Sequence, residues 1–259
     1  MLWLFAVLAS CSVHRAGEQA VDVARQYRVT VSAQFGAVKT EESVLQPAME
    51  TRLALRVTST PTRRFRDGSL GAQLRVVDAE LTVDGEPVPV ELVGRTAELR
   101  TFANGEILDI GWIDRLSGPG RHLDAFEVIF PALSPAPPSV KVGVEENRRI
   151  IWPFRSGRTV RWDNAVEAVW KNLGVDKALT SPAWELTYRG PWTLDGGTRF
   201  VSPGVGYTAK GHGEGTVWMD VKTGSMTLHV FEWHRTVQVE GKVALTQTQE
   251  FEGRIEVIP

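Results

Sequence analysis

Apolar and polar residues alternate with a period of two over most of this chain. From Tyr27 to Phe35, the residues Tyr27, Val29, Val31, Ala33 and Phe35 fall on one side and Arg28, Thr30, Ser32 and Gln34 on the other. That alternation predicts a half-buried antiparallel strand. Leu53, Leu55 and Val57 repeat it, as do Val77, Ala79, Leu81 and Val83. The pair Asp84-Gly85 then separates this run from Val88, Val90 and Leu92, a strong signal for a tight hairpin. Leu123 to Phe130 predicts one more strand.

The C-terminal end is the most regular. Val239, Val243, Leu245, Phe251 and Ile255 all sit at odd positions, with Gln238, Glu240, Lys242, Thr246, Thr248, Glu250, Glu252, Arg254 and Glu256 at even ones. Two strands sharing one wet face account for this. Between Leu133 and Pro138 the three prolines remove backbone donors, so residues 133–138 read as a connection between two halves. One segment departs from the period of two. Trp162, Val166, Val169, Trp170 and Leu173 fall at helical spacing, with Asp163 placed to cap the start and Gly174 to end it. The expected fold is therefore all-β: a curved antiparallel sheet or partly open barrel with one short helix.

Gly211, Gly213 and Gly215 precede a strand rather than a helix. A phosphate-binding loop needs the free amides of a helix start, so a nucleotide site is excluded. The three glycines share parity with Val217 and Met219, and the turn at Lys222–Ser225 leads into Met226, Leu228 and Val230. Pairing Met219 with Leu228 and Val217 with Val230 keeps the apolar sets together. It leaves Trp218, His229, Phe231 and Trp233 on the second face. Inward glycines mark a bend or barrel corner, or else vacate volume for an apolar ligand in a cavity lined by Gly211, Gly213, Gly215, Val217 and Met219.

Gly211-x-Gly213-x-Gly215-Thr216 followed by Asp220-x-Lys222-Thr223-Gly224 is similar to the C-terminal half of poorly characterised β-rich bacterial envelope lipoproteins. Val83-Asp84-Gly85, Phe102-Ala103-Asn104-Gly105 and Phe130-Pro131-Ala132-Leu133 extend the similarity into the N-terminal half. The resemblance implies a β-rich fold in the cell envelope and brings no catalytic residues with it. Leu8-Ala9-Ser10-Cys11 resembles a bacterial lipobox, and Cys11 is the sole cysteine of 259 residues. Residues 1–10 then read as a signal peptide, although no Lys or Arg precedes the apolar run Leu2–Ala9. That run is too short to span a bilayer, which takes about 20 helical residues. Residues 11–20 read as a lipidated tether and 21–259 as the β-rich domain. Ser12 stands where enteric lipoproteins retained at the inner membrane carry aspartate, so the resemblance implies the outer membrane.

The remaining composition narrows the chemistry. A formal net charge of −2 gives no overall attraction to nucleic acid. One cysteine forbids an intramolecular disulfide or a thiolate metal cluster. Arg148, Arg149, Arg155, Arg158 and Arg161 cluster with Trp152, Phe154 and Trp162, a composition able to grip phosphates or stack on flat groups. Arg148, Arg149, Trp152, Arg155, Arg158 and Trp162 therefore form the candidate ligand surface, the alternative being a solvated loop and strand face. His229 and His234 are five apart and make no credible metal pair. Neither a nucleophile elbow nor a His-Glu-x-x-His motif is present, and no motif asks for a cofactor. The expected function is a non-enzymatic binding or scaffold module of the envelope. It would be held to the membrane by a lipid anchor and recognise a lipid, cell-wall polymer or envelope protein. The alternative is a hydrolase acting on envelope material, its site assembled from dispersed carboxylates.

Overall fold

The computed structural model describes residues 24–102, 107–112, 141–156, 160–179, 181–197, 206–240 and 244–258. All its regular structure is strand: β1 (Arg25–Phe35), β2 (Val38–Lys39), β3 (Val44–Gln46), β4 (Met49–Arg64), β5 (Leu70–Val83), β6 (Glu86–Val88), β7 (Thr96–Thr101), β8 (Ile107–Trp112), β9 (Glu145–Ser156), β10 (Val160–Asp176), β11 (Ala183–Gly197), β12 (Gly206–Asp220), β13 (Met226–Glu240) and β14 (Leu245–Ile258). The chain is all-β. The lipobox, the tether, the expected strand at 123–130 and the prolines of 133–138 lie outside the described residues.

The strands form one antiparallel sheet that curls back on itself. From β9 to β14 each strand pairs with the next in sequence, and β14 pairs with β1 over ten positions, from Gln26↔Ile258 to Phe35↔Gln249. β1 then pairs with β4, β4 with β5, β5 with β7 and β7 with β8. The seam between β8 and β9 is parallel and consists of Ile110↔Phe154 and Gly111↔Arg155. This weak seam makes the architecture a partly open barrel. Strands encoded before and after 133–138 thus share a single sheet.

One face of the sheet is the core. Val29, Val31, Leu55, Val57, Val217, Phe251 and Ile255 are between 0 and 3 % exposed. Full burial of such a side chain contributes roughly 1.5–3 kcal/mol. The other face is charged and wet, with Arg28 beside Glu256, Arg56 beside Asp78 and Arg149 beside Glu167. A bilayer-spanning barrel turns an apolar band toward lipid. Here the apolar face is covered by protein and the exposed face bears charges, so the described strands have no lipid-facing band. No described helix is long and apolar enough to cross a membrane.

Three sequence expectations are corrected by register. The helix expected over Trp162–Leu173 is strand β10, paired on both sides, with β9 and β11. Val166, Ala168, Trp170 and Asn172 are buried while Glu167 and Leu173 are exposed, a period of two. The apparent helix stop at Gly174 is a β-bulge. Its φ of 111° and the hydrogen bond from its amide to Asn172 Oδ1 (2.9 Å) accommodate one extra residue. In β5 a second bulge opposite Arg56 and Val57 skips Val77, so Val76 is buried and Val77 exposed. Beyond that bulge the chain turns at Asp84-Gly85, both at positive φ (50° and 84°), as a two-residue hairpin loop of the expected kind requires.

The third correction concerns β12 and β13. Val217 pairs with His229 rather than Val230, and Trp218 with Leu228. Gly215 then pairs with Phe231 and Gly213 with Trp233. A bulge between Trp218 and Met219 adds one residue to the count from the turn, which slips the register by one. His229, Phe231, Trp233 and Arg235 therefore face the core, and Val230 faces outward at 38 % exposure.

Candidate functional site

The glycines of β12 are notches, and aromatic rings fill them. An added Cβ on Gly213 would stand 2.8 Å from Trp233 Cδ1, and one on Gly215 2.7 Å from the Tyr188 ring. At Gly211 the obstruction is the β13 backbone at His234 and Arg235. On β14, Gly253 is likewise covered by the ring of Phe231. Trp192 and Trp233 meet edge-on across β12, centroids 5.1 Å apart, and Trp170 tilts against Tyr188 at 4.8 Å. The volume vacated at Gly213, Gly215 and Gly253 is occupied by the protein's own side chains, and that at Gly211 by its backbone.

Within this packing lies a buried polar cluster. Trp233 Nε1–H donates to the Tyr188 hydroxyl (3.2 Å), which pairs with His229 Nε2 (3.0 Å). Burial pushes the Tyr188 phenol far above its ordinary range, opposed only weakly by the Trp233 hydrogen bond. The phenol is therefore neutral. Nearby, Arg235 Nε donates to Gln249 Oε1 (2.6 Å), while its guanidinium lies over Trp192 and Phe251. His229 and Arg235 are 2 and 5 % exposed. These buried hydrogen bonds help to specify a single packing of the core.

Access exists on the wet face. An open cavity of about 900 Å³ is lined by side chains contributed from β9 through β14, β1 and β4. Its charges carry both signs: Arg52, Lys171, Arg189 and Arg254 against Glu145, Glu214, Glu232 and Glu252. Of the residues expected to line an apolar cavity, Gly215 alone reaches it. Val217 is fully buried in the core, and Met219 pairs with Met226 beside the bulge.

Most of the candidate arginine and tryptophan surface falls on two neighbouring strands. Arg148, Arg149, Trp152 and Arg155 belong to β9 and Trp162 to β10, while Arg158 lies outside the described residues. Arg149 pairs with Glu167 in register and in charge (3.9 Å), and Arg148 pairs with the buried Ala168.

Two surface features escaped the sequence pattern. His212 pairs directly with His234, whose ring contacts Glu232 (2.9 Å) and Glu250 (3.8 Å). Among the described residues no group of three or more His, Cys, Asp or Glu could hold a metal ion. The second is the tip joining β4 to β5. Phe65 lies between the guanidinium groups of Arg63 (4.3 Å) and Arg100 (4.0 Å). Arg100 also reaches Asp67 (2.6 Å) and the Ser69 hydroxyl (2.8 Å). Hydrogen bonds from the Ser69 hydroxyl and amide, more than the Arg100 charge, hold the Asp67 carboxyl below its ordinary range. The run Arg63-Arg64-Phe65-Arg66 was visible as sequence, but its approach to Arg100 depends on the β5–β7 register.

No family model matches the chain, and no curated protein does. Among solved structures it is similar to the crystal structure of Pseudomonas aeruginosa OpdQ, with 6 % identity over 91 % of this chain and 99 % of that one, at a TM-score of 0.25. A likeness at that level carries no argument about fold or function.

Proposed function

We propose that this chain is a lipid-anchored protein of the bacterial cell envelope, sorted to the outer membrane, that acts as a non-enzymatic scaffold or binding module. The observation that carries the reading is the filled core beneath a charged, accessible face. With Tyr188, Phe231 and Trp233 seated in the glycine notches, recognition falls to the wet face. There the cavity presents paired signs of charge to a polar partner, a cell-wall polymer or an envelope protein. The hydrolase alternative lacks comparable support: among the described residues no Asp or Glu is buried, so none has the desolvated setting that raises a carboxyl into the range of a general acid.

The anchor is argued from Leu8-Ala9-Ser10-Cys11. Several acyl chains, each contributing about 0.8 kcal/mol per buried methylene, would hold the barrel at a membrane whose interior its own strands do not suit. The test is mass spectrometry of the full chain produced in bacteria and recovered from the membrane fraction. The reading expects a mature chain beginning at Cys11 with covalent acyl mass, and no further stoichiometric lipid under native conditions. A chain of unmodified mass in the soluble fraction would overturn the anchor. A stoichiometric, non-covalent lipid would overturn the filled-core reading and put lipid carriage in its place.

A further inference from the structure

The β4–β5 tip and the start of β1 stand at the same end of the barrel. Arg25 at the head of β1 pairs with Ser59, and β4 runs on from there to Arg64. Those five residues, at about 3.3 Å each, carry the tip roughly 16 Å past the point where β1 begins. On the opposite side β14 ends with Ile258 level with Gln26, so the tip projects beyond it too. Twelve residues, thirteen backbone steps, separate Cys11 from Ala24, the first described residue. Such a stretch spans at most about 45 Å, more than enough to let the tip reach whatever surface holds Cys11.

The tip's chemistry suits an anionic surface. Arg63, Arg64 and Arg66 are exposed and make no ion pair among the described residues, whereas Asp67 is taken up by Arg100 and Ser69. Phe65 stands half-exposed among these cations, as an aromatic ring does at the level of lipid headgroups. Lys141, Lys177 and Lys222 lie in the connections at this same end, beside Glu145, Asp176 and Asp220 respectively, so the excess of positive charge there belongs to the tip itself. The far end carries Glu41, Glu42, Asp84 and Glu86 around β2, β3 and β6, with Lys39 among them. A net charge of −2 gives no general attraction, so the asymmetry of charge must act locally.

We infer that the arginine tip formed by Arg63, Arg64, Phe65 and Arg66 docks on anionic glycerophospholipid headgroups of the membrane that holds the anchor. This orients the barrel with its tether end down and its acidic end away from the bilayer. The inference rests on Cys11 being the membrane attachment, and it adds a second contact that fixes orientation. Acyl chains alone leave the barrel free to tumble on its tether.

The test uses the full chain carrying Cys11→Ser, which cannot be acylated, so that binding through the tip is read apart from the anchor. Co-sedimentation is measured with vesicles of phosphatidylcholine alone and of phosphatidylcholine with phosphatidylglycerol. Binding is expected only to the anionic vesicles and should vanish in 1 M salt, where the screening length falls to about 3 Å. Each arginine near an anionic surface contributes about a fivefold factor. Arg63→Gln, Arg64→Gln and Arg66→Gln together should therefore weaken partitioning about 100-fold. The charge-matched triple Arg28→Gln, Arg56→Gln and Arg254→Gln, on the wet face between the ends, should stay within about twofold of the parent. All six side chains are exposed, so folding is preserved in both. Equal binding to the two vesicle types, or equal losses from the two triples, would overturn the inference. So would binding to a soluble anionic cell-wall polymer with none to vesicles. Failure of the anchor shows separately, in the intact mass of the wild-type chain.

Discussion

The indole of Trp233 lies over Gly213, its directly opposed neighbour across the β12–β13 pair, so close that a methyl group on the glycine would sit 2.8 Å from Cδ1. Phe231 covers Gly253 in the same way from β13 onto β14. Glycine to alanine normally stabilises a compatible position by about 0.4–1 kcal/mol through the unfolded chain. Here overpacking, at about 1–3 kcal/mol, outweighs that gain. Gly213→Ala and Gly253→Ala should each lower the urea midpoint, by about 1–2 kcal/mol of stability. Midpoints equal to or above the parent's would mean that the rings do not occupy the notches.

Tyr188→Phe removes the hydroxyl that meets both His229 Nε2 and the Trp233 indole N–H. A buried hydrogen bond contributes about 0.5–1.5 kcal/mol, so losing both should cost the variant about 1–3 kcal/mol at neutral pH. The parent's own stability should fall in alkali. An unfolded tyrosine ionises near pH 10, while burial holds the folded phenol neutral well above that. The phenol's contribution is thus complete below pH 10 and erodes above it, by about 1.4 kcal/mol per pH unit. Urea titrations from pH 9 to 11 should show a steeper loss for the parent than for Tyr188→Phe; parallel curves would exclude the buried phenol.

How far the sequence discloses this fold depends on whether a strand buries one face only. β1 and β14 do, and their alternation is unambiguous because Val29, Val31, Phe251 and Ile255 meet protein while Arg28, Glu252 and Arg254 meet water. β10 carries apolar residues at both parities, Ala165 beside Val166 and Val169 beside Trp170, so helical and extended periods fit it equally. Pairing on both flanks decides for the strand. Bulges cause the other two departures, since one skipped residue reverses every face beyond it. No local rule announces the skip at Val77 or the slip beside Met219. The tip was hidden for a related reason: Arg100 is 37 residues from Arg63, and only the β4–β5–β7 register brings both onto Phe65.

The turn between β12 and β13 gives a prediction in acid. Asp220 Oδ1 accepts hydrogen bonds from the amides of Thr223 (2.7 Å) and Lys222 (3.0 Å) and from the Thr223 hydroxyl (2.9 Å). The Thr223 amide foremost, with the other two contacts, holds its carboxyl below the ordinary range against the opposing desolvation. A depressed carboxyl contributes above its unfolded value, near pH 3.9, and the contribution is lost as pH falls through the folded one. The site is open to solvent, so Asp220→Ala should cost only about 0.5–1 kcal/mol at pH 7. The difference from the parent should shrink below pH 4; a gap unchanged at pH 3 would place the stabilisation elsewhere.

Paired substitutions discriminate the register directly. If β10 were a helix, Trp170 and Leu173 would share a buried stripe and both would be costly to truncate. In the strand Trp170 is 1 % exposed and Leu173 49 %. Trp170→Ala should therefore cost about 3–5 kcal/mol, while Leu173→Ser stays within about 0.5 kcal/mol. The bulge in β5 makes the same demand on adjacent valines. Val76, 1 % exposed, faces the core beside Val57, whereas Val77 is skipped and 39 % exposed. Val76→Ala should cost about 1–2 kcal/mol and Val77→Ala almost nothing. Without the bulge Val77 would keep the parity of Ala79 and Leu81, and the order of the two losses would reverse. Chemical denaturation of the four variants thus tests both irregularities, and each pair provides its own control.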